Sequence, residues 1–142
     1  HMPNFCAAIG IAQLEKIDYF ISRRKEICKE YDKSFKNLKN IRLLEVDYNS
    51  SVPFIYILRI KNNLRKKFID FLRSAHIETA IHYIPNHYHS YFRKFSNNDL
   101  PITEKLGEEI ITIPLFVDLT KKEINKIIDC ILKFDEKFKI SS

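Results

Sequence analysis

Apolar residues recur at spacings of three and four near the start of the chain: Leu14, Ile17, Ile21, Cys28, Tyr31, Phe35 and Leu38. That is the period of an amphipathic helix, and it predicts one long helix over residues 3–38. Pro3 suits its first turn, where the missing N–H costs nothing. Arg24 interrupts the stripe. Before the stripe, Phe5, Cys6, Ala7, Ala8, Ile9, Ile11 and Ala12 are apolar nearly all round. A helix end of that kind is made to be buried on several sides. A small isolated domain has little to cover it, so the pattern points either to a neighbour outside the chain or to a central core helix.

Further along, the period changes. Residues 41–46 suit a short strand, 47–51 a polar turn, and 53–60, β-branched and aromatic, a second strand. Asn62 or Asn63 can cap a helix with Leu64, Phe68, Phe71, Leu72 and Ala75 on one face. Residues 77–81 read as another short strand, and 82–101 as a polar, aromatic loop with one helical turn near 90–94. A short helix over 102–109 runs into a buried strand, 110–113, stopped by Pro114. Thr120 opens the last helix with a capping box closed by Glu123. Its stripe is Ile124, Ile127, Ile128, Ile131, Phe134 and Phe138. The order predicts an α+β domain with a small mixed or antiparallel sheet covered by helices. Residues 2–142 form one domain in this reading, and His1 before Met2 reads as a cloning remnant.

Composition narrows the chemistry. With 142 residues and 45% hydrophobic content, the chain can bury a sizeable core. No apolar run approaches the roughly 18 residues of a membrane span. Three scattered cysteines without a CxxC pair predict reduced thiols and a cytoplasmic location. There are only two glycines, Gly10 and Gly107. Phosphate-binding and nucleophile-elbow motifs need closely spaced glycines to bring backbone N–H groups against an anion, so those signatures are excluded. The excess of 24 Lys and Arg over 18 Asp and Glu gives +6, which favours anionic partners or describes a mildly basic solvated surface.

Polar chemistry concentrates in His82-Tyr83-Ile84-Pro85-Asn86-His87-Tyr88-His89. Four of the five histidines lie between positions 76 and 89. A metal reading would use His82, His87 and His89, but the spacing is not that of a zinc helix and no carboxylate or cysteine lies within the segment. No local order of Ser, His and Asp supports nucleophilic catalysis. Such a loop is also a suitable lining for a polar ligand, because His, Tyr and Asn donate and accept hydrogen bonds. Tyr91-Phe92-Arg93-Lys94 combines stacking and cationic groups, but no RNA-binding signature lies beside it, and no nucleic-acid or membrane partner is expected.

Three segments resemble one family in order. Met2-Pro3-Asn4-Phe5-Cys6-Ala7-Ala8-Ile9-Gly10-Ile11-Ala12-Gln13-Leu14-Glu15 is similar to the stretch MPN-x-x-A-A-hydrophobic-G-x-A-Q-L-E of DegT-type, PLP-dependent nucleotide-sugar aminotransferases. Residues 77–87 resemble that family's GI-x-T-x-x-HY-x-P-x-H loop, with His76 standing where a glycine usually precedes the Ile. Leu100-Pro101-Ile102-Thr103-Glu104 and Glu109-Ile110-Ile111-Thr112-Ile113-Pro114-Leu115 resemble its LP-x-(A/T)-E and E-(I/V)-(I/V)-x-LP segments.

The resemblance implies the C-terminal small domain of a fold-type I aminotransferase, with the first helix leading out of a large catalytic domain. The Schiff-base lysine, the acidic partner of the pyridine nitrogen and most of the phosphate cup would lie upstream. No catalytic or cofactor-binding residue is therefore expected in this chain, and no PLP on the chain alone. The parent reaction would move an amino group, usually from glutamate, to a keto-sugar on a nucleotide, for surface polysaccharide or glycan synthesis. His82, Tyr83 and His87 would then be substrate-side contacts, with Tyr91 and Arg93 behind them. The implied partners are the large domain, the nucleotide sugar and a second copy as homodimer. A stand-alone α+β binding or oligomerisation module without catalysis is the alternative.

Overall fold

The computed structural model describes residues 2–95 and 99–139. The elements run α1 (Asn4–Leu14), α2 (Ile17–Phe35), β1 (Ile41–Leu43), β2 (Tyr56–Ile60), α3 (Arg65–Ser74), a 3-10 turn (Asn86–Tyr88), α4 (Ser90–Arg93), α5 (Pro101–Glu109), β3 (Ile110–Ile113) and α6 (Lys121–Lys137). The architecture is α+β, and the sheet is purely antiparallel in the order β1-β2-β3. Ile41 pairs with Ile60, and Leu58 with both Leu43 and Ile111.

Strand alternation builds the core. Tyr56, Leu58 and Ile60 of β2 are buried, as are Ile111 and Ile113 of β3. They meet Ile27, Cys28, Tyr31 and Phe35 of α2, Phe68 and Leu72 of α3, and the stripe Ile124, Ile127, Ile128, Ile131 and Phe134 of α6. Phe68 and Phe134 pack edge to face at 5.0 Å, fastening α3 to α6. The predicted capping box is present, with Thr120 accepting from the Glu123 backbone and Glu123 accepting from that of Thr120. Asp135 is buried on α6 and accepts backbone N–H groups of Lys39 and Asn40 at 3.1 and 2.8 Å. Those bonds satisfy its carboxylate and tie α6 to the entry of β1.

Four local expectations are corrected. The long helix over 3–38 is two helices. Lys16 N–H bonds to Gln13 in a tight turn, and α2 begins at Ile17. The apolar stripe crosses this junction unbroken, so periodicity does not register it. Neither Asn62 nor Asn63 caps α3. Both have left-handed backbone, with φ of 59° and 55°, a conformation asparagine tolerates in a tight turn. The strand over 77–81 reduces to one bridge between Ala80 and Thr112. The first two strands are also shorter than their apolar runs, because Leu44, Val46 and Phe54 flank the ladder without pairing.

The other departure concerns α1. None of its residues is buried; Phe5, Ile9 and Ile11 are 68%, 59% and 61% exposed. Burial on α2 starts only at Ile27. The half-buried Arg24 precedes it, and its Nε is buried with no hydrogen-bond partner among the described residues.

Candidate functional site

The helices α2, α3 and α6 cover one face of the sheet. The alternate residues Ile57, Arg59 and Thr112 point to the opposite face, where α5 and the histidine loop lie. Arg59 forms a forked ion pair with Glu109, its Nη2 2.7 Å and its Nε 3.0 Å from the same carboxylate oxygen. Arg65 donates to the Gly107 carbonyl. These bonds fix α5 against β2 and the start of α3.

The loop is set on this base by two contacts. His82 Nδ1 lies 2.9 Å from the hydroxyl of Thr112, a buried strand residue whose backbone N–H and C=O both bond to Ala80. His87 Nε2 lies 3.2 Å from a carboxylate oxygen of Glu104 on α5, and the His87 side chain is only 12% exposed. Pro85, between them, is buried against α5. A Cβ placed on Gly107 would sit 2.6 and 2.8 Å from Pro85 ring carbons. Gly107 is thus the residue that lets the loop lie directly on the helix.

The remaining predicted site residues face outward. Tyr83 is 73% exposed, with its ring 5.0 Å from that of His82 in an edge-on arrangement. Tyr91 on α4 is also exposed, and Lys94 Nζ lies 4.7 Å from its ring centroid. Arg93 donates to the Tyr88 carbonyl at 3.3 Å. His82, Tyr83 and His87 therefore share one face, with Tyr91 and Arg93 on the next turn of chain. The concavity of about 510 Å³ beside Thr112 is lined by His76, Glu78, Ala80, Pro114, Phe116 and Lys126, among others, and by none of the five.

Sequence reasoning passed over Glu104, Thr112 and Gly107 as site residues. Glu104 and Thr112 lie inside the resemblance segments, which was the available signal. For Gly107 the signal was a glycine inside a helical pattern, a position with a packing reason more often than not.

A PLP site requires a lysine sheltered from solvent and a cradle of backbone N–H groups for the phosphate. No described lysine is buried. The two glycines offer no cradle, since one lies on exposed α1 and the other is filled by Pro85. The residues present do not fit the cofactor. Among the described residues no group of three or more His, Cys, Asp or Glu is gathered to hold a metal ion. Nor is any described helix long and apolar enough to cross a membrane.

This architecture recurs within solved structures of sugar aminotransferases. Residues 1–132 match the DegT/DnrJ/EryC1/StrS aminotransferase family, and the chain belongs to it. Among relatives, GDP-perosamine synthase of Escherichia coli O157:H7 is 34% identical over 134 residues, covering 94% of this chain and 36% of that protein. An uncharacterized protein, MJ1066, of Methanocaldococcus jannaschii is 31% identical, again over 94% of this chain and 36% of its own length. Among solved structures, the PLP form of Spr1654 from Streptococcus pneumoniae, a candidate sugar aminotransferase, superposes with a TM-score of 0.86. It is 26% identical over 99% of this chain and 37% of that one. CalS13 of Micromonospora echinospora, 24% identical, shares the fold with a TM-score of 0.82 over 89% of this chain and 34% of its own. The chain thus spans about a third of the length of these relatives.

Proposed function

We propose that this chain is the C-terminal small domain of a PLP-dependent aminotransferase acting on a keto-sugar carried by a nucleotide, with glutamate as the amino donor. The observation that carries the reading is the uncovered apolar surface. Helix α1 is apolar nearly all round and has no buried residue, and the N-terminal half of α2 adds a buried Arg24 Nε without a partner among the described residues. Tyr83, Ile84, Tyr91, Phe92 and Ile102 leave further large side chains in water around the histidine loop. A surface of this kind marks an interaction face. A large domain of the same enzyme is the partner that fits, because the relatives are nearly three times as long. One relative is named for GDP-perosamine, a sugar on a nucleoside diphosphate, which supports the substrate class.

In this reading PLP, held by the large domain, supplies the electron sink for amino-group transfer. The chain's own part is to close the substrate side. His82, Tyr83 and His87 hydrogen-bond to the sugar nucleotide, and Tyr91 and Arg93 stand behind them. The chain alone is inactive, and the homodimer and cytoplasmic location of the parent belong to the same proposal.

Co-expression with a separate large domain tests this. Recovery of a stable complex with cofactor absorbance and transaminase activity is the expected result. In that complex His87→Ala should weaken sugar-nucleotide binding roughly two- to tenfold, the cost of one hydrogen bond to the sugar, while leaving cofactor absorbance unchanged. Failure of the two parts to associate would overturn the reading.

A further inference from the structure

The contact between His87 and Glu104 decides what the imidazole can offer. An ionised carboxylate only accepts hydrogen bonds, so the imidazole nitrogen facing it has to carry the proton. Glu104 faces Nε2 at 3.2 Å and makes no other side-chain hydrogen bond among the described residues. Nδ1 has no partner among the described residues. The His87 side chain keeps 12% of its surface exposed, so the imidazole is within reach of solvent. His82 differs: its Nδ1 faces the Thr112 hydroxyl, which can donate or accept and therefore fixes no tautomer.

We propose that Glu104 is a positioning residue that holds neutral His87 as the Nε2–H tautomer, so that Nδ1 is presented to the ligand as a hydrogen-bond acceptor. The ligand group met there must be a donor: a sugar hydroxyl or amine, and not an oxygen of the diphosphate. The consequence for the ligand rests on the reading of His87 as a substrate-side residue; the tautomer assignment does not. Three features of the fold serve this arrangement. Gly107 lets Pro85 lie on α5, the 3-10 turn carries His87 back over that helix, and the Tyr88 ring packs 4.4 Å from the imidazole. The two histidines differ in which nitrogen lacks a hydrogen-bond partner among the described residues, Nε2 in His82 and Nδ1 in His87.

The test is long-range 1H–15N correlation on the 142-residue chain in mildly alkaline buffer. His87 should show one protonated nitrogen, Nε2, and one bare nitrogen, Nδ1, widely separated in 15N shift. Glu104→Leu removes the acceptor and should narrow that separation as the two tautomers average. Glu104→Gln retains an acceptor oxygen and should largely restore it. His82 resonances, unchanged in both variants, report that the loop is still folded. Inorganic pyrophosphate, added as a probe for phosphate oxygens, should leave the His87 pair unshifted. An Nδ1–H tautomer in the wild type would overturn the proposal, as would a Glu104→Leu spectrum identical to it or an imidazolium induced by pyrophosphate. None of these readouts depends on the sugar substrate. Their failure is therefore distinct from a failure of His87→Ala to affect sugar-nucleotide affinity, which would remove His87 from the substrate side and leave the tautomer assignment standing.

Discussion

At the scale of single residues, His76 shows how the backbone sets a choice that composition obscures. It follows α3 with φ of 56°. Its N–H bonds to Arg73 and the Ile77 N–H to Leu72, the paired bonds of a Schellman motif with His76 in the left-handed position. A Cβ is strained there and glycine is not, which explains why a glycine is usual at this place in the family resemblance. His76→Gly should raise stability by about 0.5–1 kcal/mol, the relief of strain less the added freedom of the unfolded chain. A urea midpoint that falls would refute this account. Cys28 gives the pH dependence. Burial pushes its thiol from 9.0 up to about 12, with the nearby Asp32 charge adding to the shift. Burial likewise raises Tyr31, Tyr48 and Tyr56, the last two donating to Asp32 at 2.8 and 2.7 Å. Above pH 9 the unfolded chain releases the thiol proton while the folded chain keeps it, so the unfolded state binds fewer protons and stability must fall as pH rises. The expected result is a declining urea midpoint between about pH 9 and about pH 11, steeper than that of Cys28→Ala below the tyrosine range. A level profile would contradict it.

At the scale of elements, legibility followed the kind of signal. The capping box and the apolar stripe of α6 placed that helix correctly, because cap and core face are both local patterns. The strands were harder, since Leu44, Val46, Val52 and Phe54 are as β-prone as the paired residues yet lie outside the ladder. Pairing is decided across the sheet, and a single strand's sequence does not contain its partner's register. The break at Lys16 was hidden for another reason: no proline or glycine marks it, and only one peptide departs from the helix. The apolar start of the first helix was readable as a face in need of cover, and it is uncovered here. Two copies meeting through α1 about a twofold axis is the simplest way to bury it. Sedimentation of the chain alone at micromolar concentration should show dimers or larger species. Ile9→Asp should shift them toward monomer, and at dilutions where both chains are monomeric the unfolding midpoints should agree, since Ile9 is 59% exposed and lies outside the core. A wild-type monomer throughout that range would refute the pairing.

At the scale of the whole molecule, the chain spans about a third of the length of its aminotransferase relatives, and that bounds what its site can hold. The histidine loop stood out by composition, whereas the sheet face that carries it was not read from the sequence. The supports did not stand out, because Glu104 and Thr112 reach the loop from positions 17 and 30 residues away in sequence. Chain folding creates those contacts, and no spacing rule contains them. The cofactor question is sharper. Covalent capture of PLP needs an amine that is unprotonated near neutral pH, which in proteins requires desolvation or a neighbouring cation. The described lysines lie at the surface, and Lys121, among those closest to a partner, is paired with Glu30. Incubation of the chain with PLP, borohydride reduction and intact-mass measurement should therefore yield scattered, substoichiometric labelling. One pyridoxyl group per chain at a single lysine would mean that this domain builds a cofactor site of its own. It would place amino-transfer chemistry in the chain described here, against the proposal that a large domain carries it.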